Sequence, residues 1–339
     1  KGKESFYGGP AYYMKYGLKR PWMGILFALS IIYGFGLANQ LVQSNTLCDA
    51  ISNTFHIPMQ YVASGVAILT LLIIFGGIQR IARFCAWVVP FMALGYLFLA
   101  IYILVVNLTE IPAMLSLIIR SAFGWEQAAG GAVGVAVMQG VKRGLFSNEA
   151  GEGSAPNAAA TATIPHPVMQ GLLQSLGVFT DTLVICTCTA FIILLSGVYN
   201  SGDDGIILTG HAMEHHLGSF GGWFLFAAIF LFAYSTIIAN YFYGETNVRY
   251  ITSKPWAVFI FRILSGIVVL LGGYMTLQQT WSVVDLAMAL MTLLNLIAVV
   301  CLSKYAFRLL QDFRKQRKEG KEPVFHKDLF PDADLEGWD

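Results

Sequence analysis

The chain consists of long apolar runs separated by short polar segments. A helix needs about 20 predominantly apolar residues to cross a bilayer, and eight runs approach or exceed that length. The predicted spans are 22–40, 57–78, 85–107, 128–150, 168–198, 218–241, 256–276 and 280–302. No polar segment between them is long enough for a soluble domain. The pattern therefore predicts an all-α polytopic membrane protein with a single transmembrane domain over residues 1–303.

Two segments fall outside this pattern. Residues 110–124 are apolar but too short to cross, which favours an interfacial or re-entrant helix on the outer side. Residues 304–339 are rich in charge, and we expect a loosely ordered cytoplasmic tail there.

The distribution of Lys and Arg predicts the orientation. These residues gather before the first predicted span, between the second and third, between the sixth and seventh, and after the eighth. The intervening loops hold almost none. Because basic residues favour the cytoplasmic side, we expect both ends of the chain to be cytoplasmic and the protein to lie in the plasma (inner) membrane.

Composition narrows the possible functions. Hydrophobic residues make up 56% of the chain and charged residues 12%, against roughly 25% charged in soluble domains. The net charge of +1 says nothing about partners, but the sequence offers no basic face that could bind the phosphates of a nucleic acid. The cysteines lie in or beside apolar runs, and Cys186 and Cys188 lack the spacing of a zinc site. We therefore expect no nucleic-acid partner and no structural metal.

The fourth predicted span has an unusual composition. It is rich in small residues and contains Gln139, Lys142 and Arg143, which a lipid-facing helix does not tolerate. Glycines follow closely, each less favourable to a helix than Ala by about 1 kcal/mol. We predict that this helix breaks near Phe146–Asn148. An interrupted helix at membrane depth lines a polar cavity. The alternative is a cytoplasmic loop with a glycine-rich turn.

Several motifs, in order along the chain, carry a resemblance to a known family. They include "YGGPAYYMKYGL" at 7–18, "LANQLVQSNTLCDAI" at 37–51, "GLFSNEAGEGSAPNAAATA" at 144–162 and "FAYSTIIANYFYGETN" at 232–247. The chain resembles the alanine or glycine:cation symporters, also called sodium:alanine symporters, over nearly its whole length.

This resemblance implies a secondary active transporter, not an enzyme, that carries a small neutral amino acid, alanine or glycine, with sodium. It implies no cofactor beyond the coupling ion. The family fold is the leucine-transporter type, with two inverted repeats. Residues 1–127 would be the end of the first repeat plus an outer loop helix, and 128–303 the second repeat. Because the chain starts at Lys1 without Met, we expect the first helices of repeat one to be missing.

The resemblance also suggests which residues bind the substrate and the cation. The predicted substrate-binding residues are Gln43, Phe146, Ser147, Asn148 and Trp281. We expect the first and eighth spans to flank the break and to bring Gln43 and Trp281 near Ser147. The predicted cation-binding residues are Ser235 and Thr236. The alternatives are structural: an Asn cap, hydrogen bonds between helices, a Trp at the membrane interface, and hydroxyls bonded to their own helix.

Two acidic residues lie inside predicted spans. Burying the carboxylates of Asp181 and Asp285 inside a membrane costs free energy, and such residues are paired or functional.

A proton-coupled transporter and a non-transporting channel or sensor of the same fold remain alternative functions. A remote one is an intramembrane enzyme using Ser147 and Glu149, but no His lies within a span to act as a base and Lys142 is off the face of Ser147.

Overall fold

The structure is a computed structural model that describes residues 7–76, 78–122 and 130–331. Every regular element within these ranges is helical. The α-helices are α1 (Pro10–Tyr12), α2 (Pro21–Tyr33), α3 (Gln40–Phe55), α4 (Met59–Gly76), α5 (Ile78–Val106), α6 (Ile111–Ala122), α7 (Gly130–Asn148), α8 (Ala155–Ala159), α9 (Pro167–Phe179), α10 (Cys186–Ser196), α11 (Gly205–Leu217), α12 (Ser219–Ile251), α13 (Pro255–Gly272) and α14 (Leu277–Lys318). Two π-helical segments, Gly34–Asn39 and Thr180–Ile185, join α2 to α3 and α9 to α10.

Seven stretches of the described residues are long and apolar enough to cross a membrane, one fewer than predicted. They are Pro21–Phe55, Met59–Gly76, Val89–Val106, Pro167–Ser196, Ser219–Ile251, Pro255–Gly272 and Leu277–Lys318. Helix α7 occupies the place of the predicted fourth span but is not among them. Gln139, Lys142 and Arg143 interrupt its apolar residues. The eighth span is therefore not confirmed.

The connections contain more helix than the sequence indicated. The short helix expected over 110–124 is confirmed as α6. The connection between the fifth and sixth predicted spans, residues 199–217, is helical from Gly205 onward, because Ala212 and Met213 are fully buried against the neighbouring helices. Thus α11 packs as part of the core on that face of the protein.

A close antiparallel pairing of α2–α3 with α12 forms the centre of the fold. Gly24 meets Tyr250 at one end, and the rings of Phe55 and Trp223 are 5.4 Å apart at the other. Between them the backbones approach at Gly36 and Gly244. A Cβ at Gly244 would lie 3.0 Å from the Gly36 Cα and would collide with a ring of α13. Only glycine permits this approach.

The last part of the chain is ordered as far as the structure describes it. Helix α14 continues without a break through residue 304 to Lys318. Residues 319–331 then fold back, with Phe325 and Phe330 buried. The expectation of a loosely ordered tail is therefore wrong for residues 304–331, because these two aromatic side chains anchor it.

Candidate functional site

The predicted break in the fourth apolar run is confirmed. Helix α7 ends at Asn148, and Glu149, Gly151 and Gly153 adopt left-handed backbone angles, with φ of +55°, +84° and +87°. The short helix α8 begins only at Ala155. The Asn148 Oδ1 accepts a hydrogen bond from the backbone N–H of Ala150 at 2.9 Å, which stabilises the turn. Backbone groups of residues 149–154 are thereby released from the helical ladder.

A cavity of about 560 Å³ opens beside this break. Its volume lies within the range of small-molecule sites, about 300–1,000 Å³. It is lined by residues from the break, the α9 region, α12, α14 and the N-terminal segment. They are Tyr13, Ser147, Asn148, Glu149, Ala150, Gly151, Gly153, Ala155, Pro156, Gln174, Ser175, Gly177, Val178, Asp181, Tyr243, Asn295, Leu296 and Val299.

Two side chains at the end of α7 bond to the π-helical segment Thr180–Ile185. The Ser147 hydroxyl donates to the Asp181 carboxylate at 2.6 Å and lies 3.2 Å from the Cys186 Sγ. The Asn148 amide donates to the Thr182 hydroxyl at 2.7 Å. Among the described residues, no Lys, Arg or His forms an ion pair with Asp181. The carboxylate therefore presents its negative charge beside the cavity.

A second set of contacts joins α7 to α14. The rings of Phe146 and Trp281 meet edge to face at 4.6 Å between centroids. The Arg143 guanidinium lies 3.9 Å from the Trp281 ring and 3.3 Å from the Asp285 carboxylate. Lys142 approaches the same carboxylate at 2.5 Å. The expected proximity of Trp281 to the break is thus confirmed, although neither Phe146 nor Trp281 is among the described residues that line the cavity.

The structure does not bring Gln43 to this cavity. Gln43 is half-buried on α3, and its side chain makes no hydrogen bond among the described residues. The neighbouring Ser44 and Asn45 bond to backbone carbonyls of Val269 and Met275, at 2.5 and 2.8 Å. Helix α3 is thus fixed against the α13 region. Gln43 does not line the cavity, and its role in binding the substrate stays a prediction.

Ser235 and Thr236 lie on α12, outside the residues that line the cavity. Both hydroxyls donate to the Phe232 carbonyl of their own helix, at 2.9 and 2.8 Å. This is the arrangement that the structural alternative describes. Each oxygen keeps its lone pairs for a further partner, so a role in binding a cation stays a prediction.

Sequence reasoning missed two residues that shape the cavity. Asn295 donates to the Gly151 carbonyl at 2.9 Å and accepts a hydrogen bond from the Tyr13 hydroxyl. It therefore links α14 and the N-terminal segment to the turn. A single Asn in the apolar run 291–300 was a usable signal, because an uncompensated amide inside a membrane span is unfavourable.

Comparison with known proteins gives a consistent result. The profile of the sodium:alanine symporter family matches residues 1–327. The chain is similar to an uncharacterized transporter of Haemophilus influenzae, with 48% identity over 97% of this chain and 69% of the relative. It is also similar to the probable sodium/glutamine symporter GlnT of Bacillus subtilis (46% identity, 100% and 71%) and to the amino-acid carrier protein AlsT of the same species (46%, 97% and 70%). The chain thus spans about 70% of the length of each of these relatives.

Proposed function

The chain belongs to the sodium:alanine symporter family, and we propose that it carries a small neutral amino acid, alanine or glycine, across the plasma membrane together with sodium. The family consists of transporters, so the chain is a membrane transporter and not an enzyme. The proposal includes a leucine-transporter-type fold, with residues 128–303 as its second repeat and both ends of the chain on the cytoplasmic side.

The hydrogen bond between Ser147 and Asp181 at the broken helix carries the proposal. The carboxylate lies beside the C-terminal end of α7, where free carbonyls carry partial negative charge. Both features favour a cation in the cavity. An amino acid's ammonium group satisfies this requirement and can donate hydrogen bonds to the carboxylate and the freed carbonyls.

The basic side chains one helical turn before Phe146 suit the other end of a zwitterion. Lys142 and Arg143 share a single carboxylate, Asp285, which leaves one positive charge uncompensated among these three groups. The field therefore runs from the basic pair toward Asp181, and a zwitterionic amino acid can align with it by placing its ammonium group at Asp181. Phe146 and Trp281, termed here the aromatic wall, pack edge to face beside Ser147 without lining the cavity. Two bulky rings next to the site favour a small side chain.

Sodium coupling is assigned to Ser235 and Thr236. Hard cations prefer oxygen ligands, and both hydroxyl oxygens have lone pairs free after donating to Phe232. If sodium and the amino acid favour the same conformation, each raises the affinity for the other by the same factor.

Uptake into proteoliposomes tests this function. We expect labelled alanine to accumulate above its external concentration only under an inward sodium gradient, and gramicidin to abolish that accumulation. Accumulation driven by a pH gradient without sodium would identify the proton-coupled alternative. Equilibration without accumulation would identify a channel. Glutamine is included as a competitor because one relative is named as a probable glutamine symporter.

Two variants connect the activity to the site. We expect Ser147→Ala to reduce alanine uptake by about tenfold, because loss of one hydrogen bond to a charged group corresponds to about 1.5–3 kcal/mol. Ser282→Ala is the matched control, since that exposed hydroxyl bonds only to the Gln278 carbonyl of its own helix. Equal uptake by both variants would contradict the assignment of the site.

A further inference from the structure

Residues 319–331, termed here the return segment, reverse the direction of the chain after α14. Gly320, with φ of +73°, permits the reversal, and the Lys321 N–H bonds to the Gln316 carbonyl at 3.0 Å. The side-chain amide of Gln316 then pairs with the backbone of Val324 in both directions, each bond 2.9 Å long. The return segment is thus fixed along the last turns of α14.

Two aromatic side chains anchor the return segment. Phe325 and Phe330 are each only 7% exposed. Phe330 packs on Tyr305 at 5.3 Å between ring centroids and lies under the Arg308 guanidinium at 5.4 Å. Two buried aromatic rings are a large apolar anchor for so short a segment.

The return segment also holds the loop that joins α8 to α9. The Phe325 N–H donates to the Pro165 carbonyl at 2.9 Å. The next residue, His166, is fully buried, with its ring 5.2 Å from Phe313 and 6.1 Å from Phe325. Its Nδ1 accepts from the Val168 N–H at 3.2 Å, which places the proton of the neutral ring on Nε2, 3.4 Å from Asp312.

This loop is the continuation of the broken helix. Residues 160–166 connect α8 directly to α9, and Asn157 of α8 accepts a hydrogen bond from Asn247 of α12 at 3.0 Å. A connection this short transmits any displacement of α8 to Pro165 and His166. Motion of the inner half of the broken helix therefore requires the contacts with Phe325 to break or to move with it.

We propose that the return segment is a clamp that restrains α8 and its following loop, and thereby slows the conformational cycle of the transporter. Contacts made in one conformation stabilise that conformation against the others. Weakening them lowers the free-energy cost of leaving it. The part of this proposal that concerns transport rate rests on the proposed symport.

Hydrogen–deuterium exchange of the full chain in detergent, without sodium or amino acid, tests the clamp first. We expect Phe325→Ala to raise amide exchange in peptides covering 155–168 about tenfold, through local opening. Val324→Ala is the matched control, because that neighbouring side chain is 42% exposed and its backbone bonds remain available. Unchanged exchange in Phe325→Ala would overturn the proposal. If Phe325→Ala fails to fold, Gln316→Ala is measured in its place. The Gln316→Ala substitution removes only the hydrogen bonds of the Gln316 side chain to the Val324 backbone and to Asp312.

Alanine uptake by the same variants in proteoliposomes tests the consequence. We expect Phe325→Ala to raise the maximal rate about threefold with little change in KM, because a uniform release of restraint alters turnover and not the binding groups. A maximal rate equal to that of the Val324→Ala control would overturn the braking role. Absence of alanine uptake in the unaltered chain would refute the proposed function alone, while the exchange measurement would still decide whether the clamp exists.

Discussion

Two regions of the molecule are held together by opposite means. In the scaffold, defined as α2, α3, α12 and α13, backbones touch through glycines such as Gly36 and Gly244. The interrupted segment is defined as α7, residues 149–154 and α8. In its α7 part, a Cβ added at Gly140 or Gly144 would meet no described atom within 4 Å, whereas Gly153 in the turn is as closely packed as the scaffold. The first region is fixed by close packing, and α7 by a few polar contacts.

The difference indicates which region can move. Close-packed interfaces have few alternative arrangements, whereas segments with low contact density open at a small free-energy cost. The bonds of Ser147, Asn148 and Arg143 to neighbouring helices can exchange for bonds to a ligand or water. Helix α7 therefore combines side chains of the candidate site with the capacity to change conformation, and the scaffold supplies its frame.

The largest expected effect breaks the scaffold. We expect Gly244→Ala to destabilise the protein by about 1–3 kcal/mol or more. The added methyl group would collide with the Phe261 ring of α13 and press on the backbone at Gly36, so the helices would have to move apart. Thermal stability followed by fluorescence-detected size exclusion measures this. Gly140→Ala is the matched control in open space and should be neutral or slightly stabilising. Equal stability of the two variants would remove the distinction between the regions.

The second effect concerns the polar contacts of the interrupted segment. Asn148→Ala removes the hydrogen bonds to the Thr182 hydroxyl and from the Ala150 N–H. We expect about a 30-fold loss of uptake, because two hydrogen bonds contribute about 1 kcal/mol each. Membrane insertion should persist, because a polar side chain is removed. Asn107→Ala serves as control, since its amide bonds only to the Ile103 carbonyl of its own helix. Normal uptake by Asn148→Ala would restore the interpretation as a plain glycine-rich turn.

The third effect sharpens the role of the aromatic wall. One methylene in a well-packed pocket corresponds to about 1–3 kcal/mol, so leucine should compete with alanine at least about tenfold more weakly than glycine does. Phe146→Ala should reduce this discrimination. Competition assays at a fixed sodium concentration measure it, and equally effective competition by leucine in the unaltered chain would show that the pocket is not small.

The smallest effect lies on the scaffold side of the comparison. Ser235→Ala combined with Thr236→Ala should raise the sodium concentration for half-maximal uptake about threefold. This factor corresponds to about 0.6 kcal/mol, the average contribution of a side-chain hydrogen bond between membrane helices. Uptake at saturating sodium should change little. An unaltered sodium dependence would leave both hydroxyls with only their bonds to Phe232.

Local sequence signals predicted the interrupted helix but not its partners. The glycines and the Ser147–Glu149 triplet indicated the break, because their effect on helix propensity is local. Asp181 was recognisable as costly in a span, yet its bond to Ser147 joins residues 34 positions apart. The absence of Gln43 from the cavity lining was not predictable, because a helical period does not indicate which neighbour each face of α3 meets. The tail was misjudged because two phenylalanines outweigh the surrounding charges once α14 extends to Lys318.

The account depends most directly on Asp181 as the group that receives the amino acid's ammonium. Equilibrium binding of labelled alanine to the purified full chain, with and without sodium, tests this without requiring transport. We expect sodium-dependent binding, weakened at least about tenfold in Asp181→Asn, since a hydrogen bond to a charged group corresponds to about 1.5–3 kcal/mol. The thermal stability of that variant should remain close to that of the unaltered chain. Equally tight alanine binding by Asp181→Asn would contradict the central claim that the broken helix and Asp181 form the substrate site.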